Sequence, residues 1–401
     1  TNICIYNIIK LHQEVIHVKI NKAYKFRIYP TLEQQNQINK TLGCTRLIYN
    51  YYLNKKQTLY NTNKQNIKIN ELIKDIPNLY NEFPFLKEID SMSLRCTLFD
   101  LDNAYTKFFK EKKGFPKYKN KNQKNSYRTN MIINNYKDKI YQNIKLDMKN
   151  KTLSLPKIKD LKIKGYRKKL EIVGRIINTT ISKENNRYYA SIVVEEEIPE
   201  QTFIPTKIIG IDLGIKDLVI TSDKQKYENK RVIEKYEKRI KQKQKRLTKK
   251  QIGSNNYKKL KQEIATIYRK IKNTRKYYIH KITKEIVQEN DIIVTETLKI
   301  KNMIKNHKIS KTLTDASLSE IIRQLEYKTK WTNKKLYKID TYYPSSQICS
   351  KCGYQNKNTK NLKIRKWICP ECKSELDRDI NASENIMFEG LKMYMKELIT
   401  I

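Results

Sequence analysis

The chain has 401 residues, with 84 Lys or Arg against 41 Asp or Glu, a formal net charge of +43. A surplus of that size points to a polyanionic partner, nucleic acid first among them. A basic membrane-surface protein would need an amphipathic anchor or a lipidation signal, and neither is visible. With 38% hydrophobic residues and 28 Tyr the chain can build cores and is not a disordered polycation. No apolar run approaches the roughly 18 residues that span a bilayer, and no signal peptide is evident at TNICIYNIIKLHQEVIHVKI. Seven cysteines, four of them clustered, argue for a metal site in a reducing compartment rather than a disulfide scaffold. The expectation is a soluble, cytoplasmic protein, nucleoid-associated in a prokaryotic cell. The Asn, Lys, Ile and Tyr bias also resembles low-GC coding, so codon drift competes for part of the surplus.

Residues 18–29 (VKINKAYKFRIY) alternate apolar and basic side chains and predict a half-buried strand ended by Pro30. Thr31 and Gln34 form a capping-box signature that opens a helix near Leu32. The pattern stays helical to about Phe109, with breaks expected near Pro77 and Pro84. The run 110–128 holds eight basic residues and one acid around Phe115, Tyr118 and Tyr127. It reads equally as a solvated linker or as a surface for stacking bases and holding phosphates. Period-two segments at 144–148, 152–155, 161–164 and a hairpin at 175–196 then join the first strand in a small antiparallel β-barrel, with the helical region inserted.

After Pro205, residues 207–222 (KIIGIDLGIKDLVITS) predict a strand, a tight Gly turn and a second strand inside an α/β core. Residues 230–250 carry eleven Lys or Arg. With the 3/4-spaced apolar series Tyr257 to Ile286 they predict a long basic helical hairpin, one face solvated and the other suited to a phosphate backbone. A strand at 291–296, a Lys-rich loop at 299–311, a helix from about Ala316 to Lys334 and a strand near 336–341 follow.

Two constellations carry chemistry. Cys349-Ser-Lys-Cys352 and Cys369-Pro-Glu-Cys372 form two CxxC knuckles, the pattern of a closed, structural Zn²⁺ site. A redox pair would need a thioredoxin-like βαβ unit, which is absent. Cys4, Cys44 and Cys96 read as packing residues, and the four histidines show no nucleophile-base or metal spacing. The second constellation is acidic: Asp212 inside an apolar strand, Glu296 ending another, and Asp379 at the start of a C-terminal helix. Singly they read as a turn residue, a surface charge and, for Asp377 or Asp379, an N-cap. Jointly, in so basic a chain, they suit a two-metal Mg²⁺ site for phosphodiester displacement.

GIDLG, VTE and CSKCG…WICPECKSELDRDINASENI resemble the RuvC-like nuclease and zinc-ribbon half of the TnpB proteins of bacterial and archaeal insertion sequences. NKAYKFRIYPTLEQQNQINKTLGCTRLIYNYYL resembles the start of that family and FFKEKKGFPKYKNK its mid-chain basic motif, so the resemblance covers about 21–390. It implies a compact RNA-guided DNA endonuclease that binds a structured RNA from the transposon end, recognises a short target-adjacent motif and cuts both strands with one site. The family's catalytic and Mg²⁺-binding acids fall on Asp212, Glu296 and Asp379, and its zinc ligands on Cys349, Cys352, Cys369 and Cys372.

The implied fold is multidomain α/β plus β-barrel. A β-barrel wedge domain takes 18–30 and 130–205, and a helical recognition domain 31–129. An RNase H-like nuclease domain takes 206–345 and 375–401, with a zinc ribbon at 346–374; residues 1–17 form an extension and 299–317 a lid. Candidate nucleic-acid contacts are Lys117, Tyr118, Lys119, Lys121, Arg239, Lys243 and Arg246, in a monomeric ribonucleoprotein with guide RNA and double-stranded target DNA. The rivals are a miniature type V CRISPR effector, a guide-dependent DNA-binding protein without cleavage, and a ribosomal-style RNA-binding scaffold.

Overall fold

The structure is a computed structural model that describes residues 17–121, 125–136, 139–164, 171–199, 205–299, 303, 305, 307–361 and 363–400. Residues 1–16 of the expected extension (1–17) and parts of the expected lid (300–302, 304 and 306) lie outside the described residues. Two compact units divide the chain, His17–Ile198 and the portion from Pro199 onward.

The first unit contains β1 (His17–Tyr29), α1 (Leu32–Asn63), α2 (Ile69–Glu82), α3 (Ser91–Glu111), β2 (Asn125–Asn130), a separate hairpin β3–β4 (Ile133–Tyr136, Lys139–Gln142), β5 (Lys145–Asp147), β6 (Thr152–Leu155), β7 (Ile158–Lys164), β8 (Arg175–Glu184) and β9 (Arg187–Pro199). Seven of these strands form one sheet in the order β2-β8-β9-β1-β7-β6-β5. Alternation decides its inner face: Tyr188, Ala190, Ile192 and Val194 of β9 are buried with Phe26 and Ile28 of β1. The basic run 110–128 is divided, because its end is strand β2.

The capping box forms as its residues predict. Gln34 N donates to Thr31 Oγ1 at 3.3 Å and Thr31 N donates to Gln34 Oε1 at 2.9 Å. At 32 residues, α1 is about 48 Å long. Its first half gives Ile38 and Leu42 to the sheet's core, and its second half gives Ile48, Tyr52 and Leu53 to the helical core with α2 and α3. Pro77 does not break the helical run as expected: it lies inside α2, whose Leu72, Ile76 and Leu79 are buried. The break falls earlier, at Lys64 in the left-handed region (φ 56°).

The second unit contains β10 (Ile208–Asp212), β11 (Asp217–Thr221), β12 (Lys226–Glu228), α4 (Val232–Thr248), α5 (Asn255–Glu289), β13 (Ile292–Glu296), α6 (His307–Ala316), α7 (Leu318–Trp331), β14 (Lys335–Ile339), β15 (Lys366–Ile368), β16 (Glu375–Asp377) and α8 (Arg378–Ile399). The sheet order is β12-β11-β10-β13-β14, with β10–β11 and β11–β12 antiparallel and β10–β13 and β13–β14 parallel. Helices α5, α6 and α7 cover one face through Ile209, Ile211 and Ile293. Helix α8 covers the other through Ile292 and Val294. The segment expected as a Lys-rich loop is helical from His307: Leu313 and Ala316 are buried with Leu318 and Ile321 of α7, so apolar burial prevails over local charge. Ser317 (φ 53°) separates α6 from α7, the helix expected from about Ala316.

Candidate active site

Strand register assembles the acids. Strands β10 and β13 run parallel with Ile208 opposite Ile292, Gly210 opposite Val294 and Ile211 opposite Thr295. One residue further along, Asp212 and Glu296 are therefore neighbours across a spacing of about 4.8 Å. Alternation sends the even-numbered side chains to the face covered by α8. Helix α8 lies unusually close there: a Cβ on Gly210 would stand 2.0 Å from Ser383 O, and one on Gly390 2.2 Å from Val294 Cγ2. Two glycines thus let the helix settle onto the sheet with Asp379 in its first turn beside the strand ends. Asp377 is the N-cap of α8, its Oδ1 accepting from Asp379 N and Ile380 N, both at 3.1 Å.

The charges of Glu296 and Asp379 both bear on Asp212. Burial, then the charges of Glu296 and Asp379, push the Asp212 carboxyl up to about 7, opposed by Arg378 and the Leu213 N–H. Burial also raises Glu296, against the hydrogen bond that Ser345 Oγ donates to its Oε1 at 2.6 Å. Asp379 accepts from Arg365 Nη1 at 3.3 and 3.2 Å through both oxygens. Three hard oxygen donors are the ligand type that Mg²⁺ takes, while the tightly gathered ligand group among the described residues is that of the four cysteines.

The four cysteines converge as the spacing predicts. Cys349 Sγ lies 3.7 Å from Cys372 Sγ and Cys352 Sγ 3.6 Å from Cys369 Sγ, and all four lie within 4.8 Å of one another. Zn–S bonds of ~2.3 Å arranged tetrahedrally give S···S edges of about 3.8 Å, so the set fits zinc. The two knuckles repeat one geometry. Cys349 N donates to Tyr354 O and Gly353 N to Cys349 O, and likewise Cys369 N donates to Ser374 O and Lys373 N to Cys369 O. Gly353 (φ 81°) and Lys373 (φ 60°) occupy the matching left-handed positions. Trp367 and Leu376 fill the small core between them.

Several polar residues at these sites carry no sequence signal of their own. Arg378 is 7% exposed, within 4.0 Å of no carboxylate among the described residues, and its Nε is unpaired. Arg365, Ser345, Asn381 and Asn385 contact the acids or the knuckles from mixed segments in which a polar side chain breaks no pattern. Among the candidate nucleic-acid contacts, Lys117, Tyr118 and Lys121 are exposed on the first unit. Lys119 is already engaged: its Nζ stands 3.8 Å from the Tyr49 ring, and its backbone pairs with the Asn50 carboxamide at 2.8 and 2.9 Å. On the second unit, Arg239, Lys243 and Arg246 line a groove of about 470 Å³ with Gln242, Lys245 and Lys249. Lys243 is paired with Glu263.

A family profile described as "Probable transposase", named for OrfB of IS605, matches residues 191–307. One described as "Cas12f1-like, TNB domain" matches 319–386, and one described as "Helix-turn-helix domain" matches 20–65. On that last stretch the structure has β1 followed by the single helix α1. The chain is 28% identical over 376 residues to a "Putative RNA-guided DNA endonuclease" of Streptomyces pristinaespiralis, covering 93% of this chain and 90% of that one. It is 27% identical over 386 residues to the "Putative RNA-guided DNA endonuclease InsQ" of Escherichia coli (strain K12), covering 92% of each. A chain of the Cas12f1–sgRNA–target DNA complex superimposes with a TM-score of 0.59 at 14% identity, covering 92% of this chain and 99% of that one.

Acid cluster, mixed sheet and cysteine ribbon thus sit in a multidomain α/β fold shared with Cas12f1. The matched profiles and relatives are those of OrfB-type transposon proteins and RNA-guided DNA endonucleases, to which the chain is similar over most of its length.

Proposed function

We propose that the chain is an RNA-guided DNA endonuclease of an insertion-sequence transposon, hydrolysing phosphodiesters at a single RuvC-like site formed by Asp212, Glu296 and Asp379. The in-register pairing that sets Asp212 beside Glu296, on the face covered by α8, is the observation that carries this reading. Magnesium ions held by the three carboxylates would polarise the scissile phosphate and ease deprotonation of an attacking water. The chain's own part is to present the carboxylates from two strand ends and a helix start. Ser345 fixes Glu296, and Arg365 and Arg378 bring positive charge to the cluster. Zinc on Cys349, Cys352, Cys369 and Cys372 has a structural role.

In this reading guide RNA supplies sequence by base pairing, while the protein reads backbone, shape and a short adjacent motif. The seven-stranded sheet serves as the wedge domain, α1–α3 as the recognition region, and the α4–α5 hairpin as a track for phosphate. The working particle is one chain with its RNA. The test is cleavage of matched target DNA by Asp212→Ala loaded with guide RNA. Loss of cutting with retained RNA binding is expected, and cutting at the parent's rate would sink the site. The fold shared with Cas12f1 favours a CRISPR effector as second reading. Sequencing the copurifying RNA separates the two: a transposon-end transcript supports the first, a repeat-spacer transcript the second.

A further inference from the structure

Between the acids and the cysteine ribbon lies a set of contacts that neither assignment uses. Asn381 stands two residues after Asp379 in the first turns of α8 and is 1% exposed. Its Nδ2 donates to Ile348 O at 2.6 Å and its Oδ1 accepts from Ser350 N at 2.8 Å. One carboxamide therefore grips the backbone on both sides of Cys349. Asn385, a turn further on and also buried, donates to Ile348 O at 2.7 Å and to Ser345 O at 2.8 Å. Ser345 in turn bonds Glu296. A buried carboxamide is costly unless its groups are paired. Here the pairing is with the Ser345 and Ile348 carbonyls and the Ser350 N–H, the last two flanking Cys349 of the first knuckle. The knuckle is thus fastened to the helix that presents Asp379 and, through Ser345, to the strand that presents Glu296.

We propose that Asn381 and Asn385 are positioning residues that make the divalent-metal affinity of the acid site depend on the shape of the Cys349 knuckle, so that the ribbon governs whether the acids are competent. The inference rests on the reading of Asp212, Glu296 and Asp379 as a metal site. Residues that orient metal ligands without touching the metal change affinity by about 10- to 100-fold when removed.

The experiment measures Mn²⁺ binding to the full-length chain by calorimetry, with zinc content determined in parallel. The variants are Asn381→Ala and Asn385→Ala, Asp212→Ala is the blank, and Asn356→Ala is a control within the ribbon whose side chain caps only the turn at Asn358. Asn381→Ala is expected to keep its zinc, to bind Mn²⁺ about 10-fold or more weakly, and to recover cutting when Mn²⁺ is raised. Asn356→Ala, whose side chain reaches neither the Cys349 backbone nor the clamp, should leave Mn²⁺ affinity unchanged. If Asn381→Ala does not fold, the parent stripped of zinc replaces it and should show the same weakening. Unchanged Mn²⁺ affinity in the asparagine variants and in stripped protein overturns the inference alone. Absence of any Asp212-dependent Mn²⁺ binding in the parent overturns the metal site, and the inference with it.

Discussion

Asp212 was legible because it interrupts an apolar strand, and the cysteines because their spacing has few other uses. Arg365, Arg378 and Asn381 were not, since a polar residue in a mixed segment breaks no pattern; only the fold shows which of them faces an acid. Lys119 shows the opposite effect, its placement among lysines and aromatics concealing that it is bound to α1. The Arg365–Asp379 pair, with Arg365 half-exposed, is of the kind worth ~0–1 kcal/mol. Arg365→Gln should therefore barely move the midpoint of denaturant unfolding. His280 supplies a pH dependence. Burial, then Lys328, lowers it from 6.5 to about 4, so the unfolded chain takes up the proton first as pH falls. Its contribution to stability is fully present above about 6.5 and is lost as pH drops toward 4. The melting temperature of His280→Asn should accordingly fall less than the parent's between those limits, and an equal fall would refute the assignment.

The strands, the capping box and the basic helical hairpin follow from periodicity and cap chemistry, which act within a few residues. Helix α6 and the intact α2 do not, because burial of Leu313 and of Leu72, Ile76 and Leu79 is settled by partners distant in sequence. The glycines make the same point. At Gly210 an added Cβ meets backbone at 2.0 and 2.6 Å, whereas at Gly43 in α1 nothing lies within 4 Å. Gly210→Ala should thus cost about 1–3 kcal/mol through overpacking and displace the start of α8, lowering cleavage. Gly43→Ala should stabilise by about 0.5–1 kcal/mol through helix propensity. Chemical denaturation of the two variants checks both signs.

For the molecule as a whole, the surplus of +43 matters more than any single lysine, because neutralising many phosphates releases many counterions. If about 6–10 phosphates are contacted, RNA affinity should fall by about 10³-fold or more between ~50 and ~200 mM salt. A flat response in filter binding would contradict it. Among the described residues no helix is long and apolar enough to cross a membrane.

The parallel pairing of β10 with β13 also governs where the chain can change length. Asp212 and Glu296 meet by ladder position, so adding or deleting one residue within Ile208–Asp212 or Ile292–Glu296 turns an acid to the opposite face. The intervening hairpin is under no such constraint: its turn at Lys249–Ser254 is exposed over most of its length, and extra residues there leave both ladders untouched. Growth and shrinkage of this protein over evolutionary time should therefore concentrate at that turn, while the two strands keep their length to the residue.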